Sequence, residues 1–462
     1  MKVVTNNGLH EAGVPDPWSE AEQEQQAALR RPGLLPEEFW NARPVFTHIR
    51  QAAHSRVCSG DVLFWAVMAR TSGMLSHRIR AETGVGNRAS LNIFASPVGP
   101  PGAGKSSSAG LARKVMPAPD DSFPDGMPLG TGEGVAEAFM GEVEEETGAF
   151  HERGPKKGDP VTVKVRKQVR HNIYFYVDEG SVLSKLGERS ASTLYETLRS
   201  AAFGEGIGQT NATAERIRRV QEETYSMGLL IGYQPATVGH LMADAGAGTP
   251  QRFFWCWATD PSIPDDPPPW PGQITDHPGM LRPLGDKDIE FPDNIKKRLR
   301  AEKLARGRGE IEASLHDGHA SLMKIKAASM FALFDDRFAV TDEDWELAEM
   351  VWESSCLVRD ALIAQAEREA QAAKEQQESA AVSLALRTHD AKTTADLAVE
   401  RLALQVLKRT SAPEGITIGA LRKAVNSRDR PLVDKAVAFA EARGWVAMDG
   451  DGRIYASAVK AA

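Results

Sequence analysis

The sequence predicts an α/β fold in which a parallel sheet core is flanked by helical segments and followed by a small C-terminal domain. Three short apolar segments predict buried strands: Ser90–Ala95, Ile173–Val177 and Gly228–Tyr233. Helical stretches separate these strands, and strands joined through helices pair in parallel. The Pro-rich segment Asp260–Gly272 cannot form a helix or a central strand, so we expect the sheet to end there.

Length and composition exclude several classes of protein. At 462 residues the chain is too long for one ordinary core. Its three cysteines are far apart in the sequence, which argues against a disulfide framework and against a zinc knuckle. No apolar run approaches the roughly 18 residues that a membrane span needs. We therefore expect a soluble, cytoplasmic protein that does not associate with membranes.

The basic residues are concentrated in a few segments, although the net charge is −8. Arg153–His171 holds seven Lys and Arg residues and one acid, and so does Lys296–Gly309. From Glu400 to the end there are 11 basic and 7 acidic residues, a net charge of +4. Local clusters of this kind bear more directly on a nucleic-acid partner than the total charge does.

Shifts in composition predict the domain organisation. The first residues are polar with few apolar anchors, and the stretch before the last domain is rich in Ala, Gln and Glu without an apolar stripe. We expect a flexible arm (1–34), a helical region (35–89), a P-loop core (90–285), a helical subdomain (286–365), a linker (366–398) and a C-terminal domain (399–462).

A glycine-rich segment after the first predicted strand matches the pattern GxxxxGK[ST] at every fixed position. Its glycines allow backbone N–H groups to face phosphate oxygens, and the following helix adds positive potential. Lys105 would reach the β and γ phosphates of ATP, and Ser106 would ligate Mg²⁺. A chance Gly-rich turn is the alternative. The expected phosphate-binding residues are Gly99, Pro100, Pro101, Gly102, Ala103, Gly104, Lys105, Ser106 and Ser107.

Two acidic residues end the second predicted strand. Asp178 has the position of a Walker B carboxylate, which is held beside the metal at the carboxyl edge of the sheet. Glu179 could orient and deprotonate an attacking water, and this favours hydrolysis over phosphate transfer to a small molecule. The alternative is an N-cap pair that begins the next helix.

Three further residues are weaker candidates for the same chemistry. Gln234 ends the third predicted strand and could contact the γ-phosphate or its water, or it could be a surface residue before Pro235. Arg252 leads into an aromatic strand and could act as a finger on the nucleotide of a neighbouring subunit, or it could form a local salt bridge. Lys324 could be a second γ-phosphate sensor, but a solvated helix face is the favoured interpretation of it.

Two regions near the core could contact nucleic acid. Val161, Val163 and Val165 alternate with polar residues, which predicts a strand or hairpin with a basic face. Such a face can bind backbone phosphates without sequence preference, but a solvated basic hairpin is the alternative. Gly204–Gln209, followed by Arg216, Arg218 and Arg219, could form a second loop that contacts DNA.

The last domain has the pattern of a winged helix, three helices followed by a hairpin around Asp449–Gly452. Arg422, Lys423, Arg428, Arg430 and Lys435 would give it a basic surface for duplex DNA, while its interspersed acids keep a protein-contact role open. The predicted elements are helices Arg401–Arg409, Thr417–Val425 and Arg428–Arg443 and strands Trp445–Met448 and Arg453–Ala456.

The region from Leu35 to about Leu362 resembles a P-loop ATPase family of phages, plasmids and integrative elements that is associated with bifunctional primase-polymerases. The segments that carry the resemblance are SLNIFASPVGPPGAGKSS, YFYVDEGSVL, GLLIGYQP, AGTPQRFFWCWATDP and DGHASLMKIKAASMFALFDDRFAVTDEDWELA. They lie within about seven tenths of the chain. This family is similar to ring-forming replicative helicases with a core of the RecA or AAA+ type.

The resemblance implies an ATP-driven DNA helicase or initiation motor that forms a homo-oligomeric ring, a hexamer, on single-stranded DNA. By motif, Lys105 and Ser106 would bind phosphate and Mg²⁺, and Asp178 and Glu179 would serve the metal and the water. Gln234 would sense the γ-phosphate and Arg252 would be the finger. No primase-polymerase domain precedes the ATPase in this sequence, so we expect priming to come from a separate chain.

A second function stays open: an origin-binding initiator or regulator in which ATP sets the oligomeric state and the winged helix reads duplex DNA. A packaging motor is disfavoured because no clustered acidic nuclease motif follows the ATPase. A small-molecule kinase is disfavoured by Glu179 and by the lack of an evident acceptor site.

Overall fold

The structure is a computed structural model that describes residues 32–180, 193–209, 218–274, 285–311, 318–412 and 414–457. The chain divides into two compact units, Met1–Glu367 and Arg368–Ala462. Most of the predicted N-terminal arm and Arg216 lie outside the described residues. None of the described helices is long and apolar enough to cross a membrane.

The helices are numbered along the chain. In the first unit they are α1 Glu37–Ala42, α2 Pro44–His54, α3 Gly60–Met74, α4 Lys105–Val115, α5 Gly132–Phe139, α6 193–203, α7 Gly239–Ala243, α8 Asp293–Gly307 and α9 Ala320–Phe334. Helix α10 runs over Asp342–Arg409, past the boundary between the units. Helices α11 Ile418–Ala424 and α12 Val433–Ala442 complete the second unit.

The strands are numbered in the same way. They are β1 Ile79–Glu82, β2 Phe94–Val98, β3 Asp125–Met127, β4 Met140–Phe150, β5 Pro160–Gln168, β6 Asn172–Val177, β7 Ile207–Gln209, β8 Arg218–Val220, β9 Ser226–Ile231, β10 Phe254–Trp257, β11 Lys287–Glu290, β12 Ile416–Thr417, β13 Val446–Met448 and β14 Arg453–Ala456.

The first unit is a mixed α/β structure around a central sheet of five parallel strands. Its strand order is β10-β2-β9-β6-β3, and every neighbouring pair is parallel. All carboxyl ends therefore lie on one edge of the sheet, here called the carboxyl edge, and all amino ends lie on the opposite amino edge. Strand β9 lies between β2 and β6, so the segment after it is placed between the segments that follow those two strands.

The first predicted strand is wrong in its bounds, because the strand occupies Phe94–Val98 rather than Ser90–Ala95. In the residues before Phe94, hydrogen bonds to side chains take the place of regular strand pairing. Asn92 donates to the carbonyl of Ala201 and accepts from the N–H of Met227, and the N–H of Ile93 donates to Ser72. Buried polar side chains that bond the backbone compete with strand pairing in this way.

Helix α3 forms the centre of the core and is buried along its whole length. It packs so closely on the sheet that a Cβ added at Gly228 would lie 1.8 Å from the carbonyl oxygen of Ala69. The N-cap of this helix is Ser59 rather than the nearby Asp61, and the hydroxyl of Ser59 accepts from the N–H of Val62. Asp61 instead accepts from the N–H of Leu35, and burial raises its pKa to about 8.

Two antiparallel hairpins extend from the amino edge. The long hairpin β4–β5 begins after α5 and returns just before β6. The short hairpin β7–β8 lies between α6 and β9. The carboxylate of Glu137 on α5 joins their bases, because it accepts from Arg166 on β5 and from Arg218 on β8.

The second unit has its own small core. The end of α10, helices α11 and α12, and an antiparallel sheet of order β12-β14-β13 enclose it. Leu402, Leu421, Val437 and Ile454 are among its buried residues. The predicted third helix is shorter than expected, because a single 3₁₀ turn, Arg430–Leu432, precedes α12. Residues 366–398, predicted as a linker, are helical.

Candidate nucleotide site

The glycine-rich segment forms a tight loop between β2 and α4 at the carboxyl edge. Gly102 and Gly104 have φ values of 82° and 74°, a left-handed conformation that favours glycine. Gly104 immediately precedes α4, so the first N–H groups of that helix are directed at the loop. A Cβ at Gly99 would lie 2.7 Å from the Cβ of Ala258. The loop therefore has the shape that a phosphate group requires.

Lys105, the first residue of α4, is folded back onto the loop. Its ammonium donates to the carbonyl oxygens of Gly99 (2.8 Å) and Pro100 (3.0 Å). Burial lowers the pKa of Lys105, and the carboxylates of Glu179 and Asp178 act in the opposite direction. Both predicted acids are thus close enough to interact with this cation. Ser106 and Ser107 are exposed beside it.

The two predicted acids follow β6 directly, and they differ in their surroundings. Asp178 is exposed and accepts from the hydroxyl of Tyr176 at 2.9 Å. Glu179 is half-buried and turned towards the segment that follows β9. Residues 181–192 lie outside the described residues, so the alternative of a helix N-cap pair is not tested by the geometry.

Gln234 meets Glu179 at the centre of the site. Its Nε2 donates to Oε2 of Glu179 at 2.8 Å. Backbone hydrogen bonds hold the segment before Gln234 on both sides: Tyr233 donates to Pro97 before the loop, and Gly232 donates to Val177 before the acids. The amide is therefore placed between the phosphate loop and the acidic pair.

Thr237 is a residue that the sequence did not indicate. Its hydroxyl lies 3.5 Å from Oε1 of Glu179 and also accepts from the N–H of Gln234. The sequence signal that could have indicated Thr237 is its position three residues after Gln234, because a turn of that length returns the chain to the same carboxylate. Glu179 thus has two neutral polar neighbours, a suitable setting for a base that must bind a water molecule.

Arg252 lies at the amino edge, away from this group. It is two residues before β10, so the length of the sheet, roughly 15 Å of strand, separates it from the loop after β2. Its guanidinium donates to the carbonyl of Gly248 at 2.5 Å and lies 4.9 Å from the ring centre of Phe203. Burial and the nearby Arg199 lower its pKa to about 10.

The local salt bridge that was the alternative role for Arg252 is not found in the described part of the chain. Among the described residues, no carboxylate lies within ion-pair distance of its guanidinium. Lys324 differs in this respect, because its ammonium pairs with Glu349 at 3.2 Å and lies over the ring of Trp345. Lys324 is therefore engaged within its own helical layer rather than directed at the carboxyl edge.

Lys326 is a buried cation that the sequence did not indicate. It is 1% exposed, and its ammonium donates to the carbonyls of Asn92 (2.8 Å) and Ala202. Burial, and secondarily Arg252, lower its pKa to about 7. It ties α9 to the entry of β2 and to the end of α6.

A cavity of about 570 Å³ lies near Arg252, and no residue of the phosphate loop or the acidic pair lines it. Its walls include Val85, Phe203, Leu299 and His319. Burial and Arg252 lower the pKa of His319 to about 4, so its ring is neutral at pH 7. The candidate nucleotide site is therefore the exposed phosphate loop and not this cavity.

The residues at the carboxyl edge fit a nucleoside triphosphate with its magnesium ion. The loop and the start of α4 offer N–H donors, and Lys105 offers a cation. The exposed oxygens of Ser106 and Asp178 are ligands of the type that Mg²⁺ accepts.

Comparison with known proteins places the chain in no family. No protein-family model matches the sequence, and no curated protein matches it. Among solved structures it is similar to a full-length MCM homolog from Methanopyrus kandleri, at 11% sequence identity and a TM-score of 0.34. The match covers 75% of this chain and 63% of that chain. A similarity of this extent carries no argument about function.

Proposed function

We propose that the protein is a magnesium-dependent ATPase that works as a DNA helicase or translocase. The observation that carries the proposal is the meeting of three chain segments at the carboxyl edge: the loop Gly99–Ser106, the pair Asp178 and Glu179, and Gln234. A phosphate cradle alone would support many nucleotide-binding functions. A carboxylate base held beside it by a neutral amide favours hydrolysis.

In this proposal each side chain has a separate task. Lys105 leaves the carbonyls of its own loop and binds the β and γ phosphates, while Ser106 and Asp178 hold the metal. Bound Mg²⁺ neutralises charge on the phosphates. Glu179 orients and deprotonates the attacking water, and Gln234, with Thr237, fixes the direction in which the carboxylate points.

Arg252 completes the site of a neighbouring subunit. Its place at the amino edge keeps it from its own phosphate loop, and its guanidinium lacks a carboxylate partner among the described residues. We propose a homo-oligomeric ring, a hexamer, in which the amino edge of one subunit faces the carboxyl edge of the next. Such an arginine stabilises transition-state charge on the phosphates.

The hairpins and the second unit provide the surfaces for DNA. We propose that the single strand is gripped from the amino edge and that the second unit is a winged helix. Arg422, Lys423, Arg428 and Lys435 are exposed on it. The setting, replication of a phage or another mobile element with primers from a separate primase-polymerase, rests on the family resemblance of the sequence alone.

Strand displacement on a forked DNA tests this function. The full chain with ATP and Mg²⁺ should release the labelled strand, and it should fail with a non-hydrolysable analogue. Analytical ultracentrifugation of the same sample with the analogue should show a closed oligomer. A monomer that displaces no strand would contradict the proposal.

The alternative is an ATP-switched initiator that binds a particular duplex. The exposed basic residues of the second unit favour it, because α11, α12 and the segment between these helices carry them with little ion pairing beyond Arg422 to Asp434. Sequence-specific duplex binding lost in Lys423→Gln with Arg428→Gln, combined with slow hydrolysis, would support this alternative.

A further inference from the structure

The tip of hairpin β4–β5 exposes an aromatic ring. Phe150 ends β4 and is 63% exposed. Every other Phe, Trp and Tyr among the described residues is buried or half-buried. Within that part of the chain no other aromatic ring stacks on Phe150. A single exposed apolar side chain is common in proteins, so its surroundings decide its meaning.

The shaft and the tip of this hairpin differ in charge. Along the shaft, Lys164 faces Glu142, Lys167 pairs with Glu145 at 2.5 Å, and Arg166 pairs with Glu137. Four glutamates on β4 against three bases on β5 leave the shaft with a net charge of −1. The shaft therefore offers no net electrostatic attraction to the phosphate backbone of a nucleic acid.

The tip, residues 151–159, has a net charge of +1 with His151 neutral. Its three cations, Arg153, Lys156 and Lys157, are exposed. None of them has an ion-pair partner among the described residues. The unpaired positive charge of the hairpin is therefore next to the exposed ring.

Backbone hydrogen bonds hold this tip in a defined shape. The N–H of His151 donates to Asp159 and that of Gly158 donates back to His151, both at 3.0 Å. Within the loop, Lys157 donates to Gly154 at 3.1 Å. The ring and the cations are consequently presented together, with less conformational entropy to lose on binding than in an unstructured loop.

An exposed ring beside free cations suits single-stranded nucleic acid. The ring can stack on a base only where the base is unpaired, and the cations bind the adjoining phosphates. In a duplex the base faces are already covered by their neighbours, so the ring would find no partner there.

We propose that the tip of β4–β5 is a stacking site for an unpaired base of single-stranded DNA, formed by Phe150 with Arg153, Lys156 and Lys157. This rests on the proposed function and specifies which part of the chain grips the strand. The shaft acts as the support, and Glu137 links it to the base of hairpin β7–β8.

Fluorescence anisotropy of labelled oligo(dT) with the full chain and a non-hydrolysable ATP analogue tests the site. Phe150→Ala should weaken binding about ten-fold without changing the slope of affinity against salt, because stacking involves no counterions. Phe150→Trp should retain affinity, and its fluorescence should change when the strand binds. Lys156→Gln with Lys157→Gln should reduce the salt slope by about 1.4.

Val163→Ala is the matched control, because Val163 is also exposed on the hairpin, at 46%, but lies on the shaft. It should bind oligo(dT) as the wild type does. If Phe150→Ala also binds as the wild type does, the stacking site is wrong while the proposed function stands. If the wild-type chain binds no oligo(dT) at all, the proposed function fails first and the stacking site fails with it.

Discussion

The two edges of the parallel sheet differ in how their polar side chains are satisfied. At the carboxyl edge the groups bond each other: Lys105 bonds its own loop, and Gln234 bonds Glu179. At the amino edge Arg252 bonds only carbonyls among the described residues, and the hairpin tip carries free cations. The groups at the carboxyl edge can exchange their internal partners for a ligand, whereas those at the amino edge can bind other molecules.

This difference suggests a division of work within one sheet. Parallel pairing places the ends of β2, β6 and β9 together, so a compact site for phosphate chemistry forms from three distant segments. The opposite edge receives the connections that enter these strands, including both hairpins. We expect the carboxyl edge to carry the chemistry and the amino edge to contact other molecules.

Removal of the Lys105 ammonium should reduce activity more than any other single change. Lys105→Ala should reduce steady-state ATP turnover to the level measured without protein, because its ammonium is the cation folded onto the phosphate loop. Lys114→Ala on the same helix is the control, since Lys114 is exposed in the last turn of α4. Equal activity of the two variants would remove the loop from the chemistry.

Arg252→Ala should lower turnover by about 10³-fold while binding of a fluorescent ATP analogue persists, because a finger acts on the transition state. Wild-type turnover in this variant would rule out the finger.

A mixture of the two inactive variants tests whether that arginine acts between subunits. Lys105→Ala still supplies Arg252, and Arg252→Ala still supplies Lys105. Mixed rings therefore contain some complete sites, and turnover should reappear on mixing. Continued inactivity of a mixed oligomer would indicate that both residues serve the same chain.

Gln234→Ala should lower kcat about ten-fold and leave KM for ATP nearly unchanged, since it frees Glu179 without touching the phosphate loop. Thr237→Val should have a smaller effect of the same kind, because its contact with the carboxylate is longer, at 3.5 Å. A rise in KM without a fall in kcat would assign Gln234 to ATP binding instead of to positioning the base.

The remaining prediction concerns stability, and not catalysis, at the amino edge. Lys326 has a pKa of about 7 in the fold and an ordinary pKa of 10.5. Between these values the unfolded chain holds a proton that the folded chain has released, so the free energy of unfolding should rise with pH from about 7 to 10.5. Below pH 7 both states are protonated and the cost of the buried charge is present in full.

Lys326→Met should flatten this rise, as measured by urea unfolding at pH 7 and pH 9. The exposed Lys297→Met on α8 serves as control and should keep the wild-type rise. An unchanged rise in Lys326→Met would indicate that other groups cause it.

The carboxyl edge could be read from the sequence more fully than the amino edge. The phosphate loop is contiguous and its residue types are fixed by backbone geometry, so Gly99–Ser106 is found at the predicted place between a strand and a helix. Asp178, Glu179 and Gln234 end apolar segments, and parallel pairing brings such ends together. Thr237 was missed because its role depends on how the chain turns after Pro235.

The amino edge depends on contacts that periodicity does not reveal. The strand over Ser90–Ala95 was misplaced because the bonds of Asn92 and Ser72 are tertiary. The basic face predicted on β5 is paired with acids on β4 and α5, because Lys164 lies near Glu142 and Arg166 pairs with Glu137. These pairs depend on the register of β4 against β5, which periodicity does not reveal. The free cations are instead in the turn.

Steady-state ATP hydrolysis at fixed protein concentration distinguishes a motor on single-stranded DNA from an ATP-switched initiator. It is measured with no DNA, with oligo(dT) and with a duplex of arbitrary sequence. Lys105→Ala provides the blank. We expect a basal rate that oligo(dT) stimulates strongly and the duplex does not. Turnover that is indifferent to single strands, or stimulated only by one particular duplex, would contradict it and favour the ATP-switched initiator.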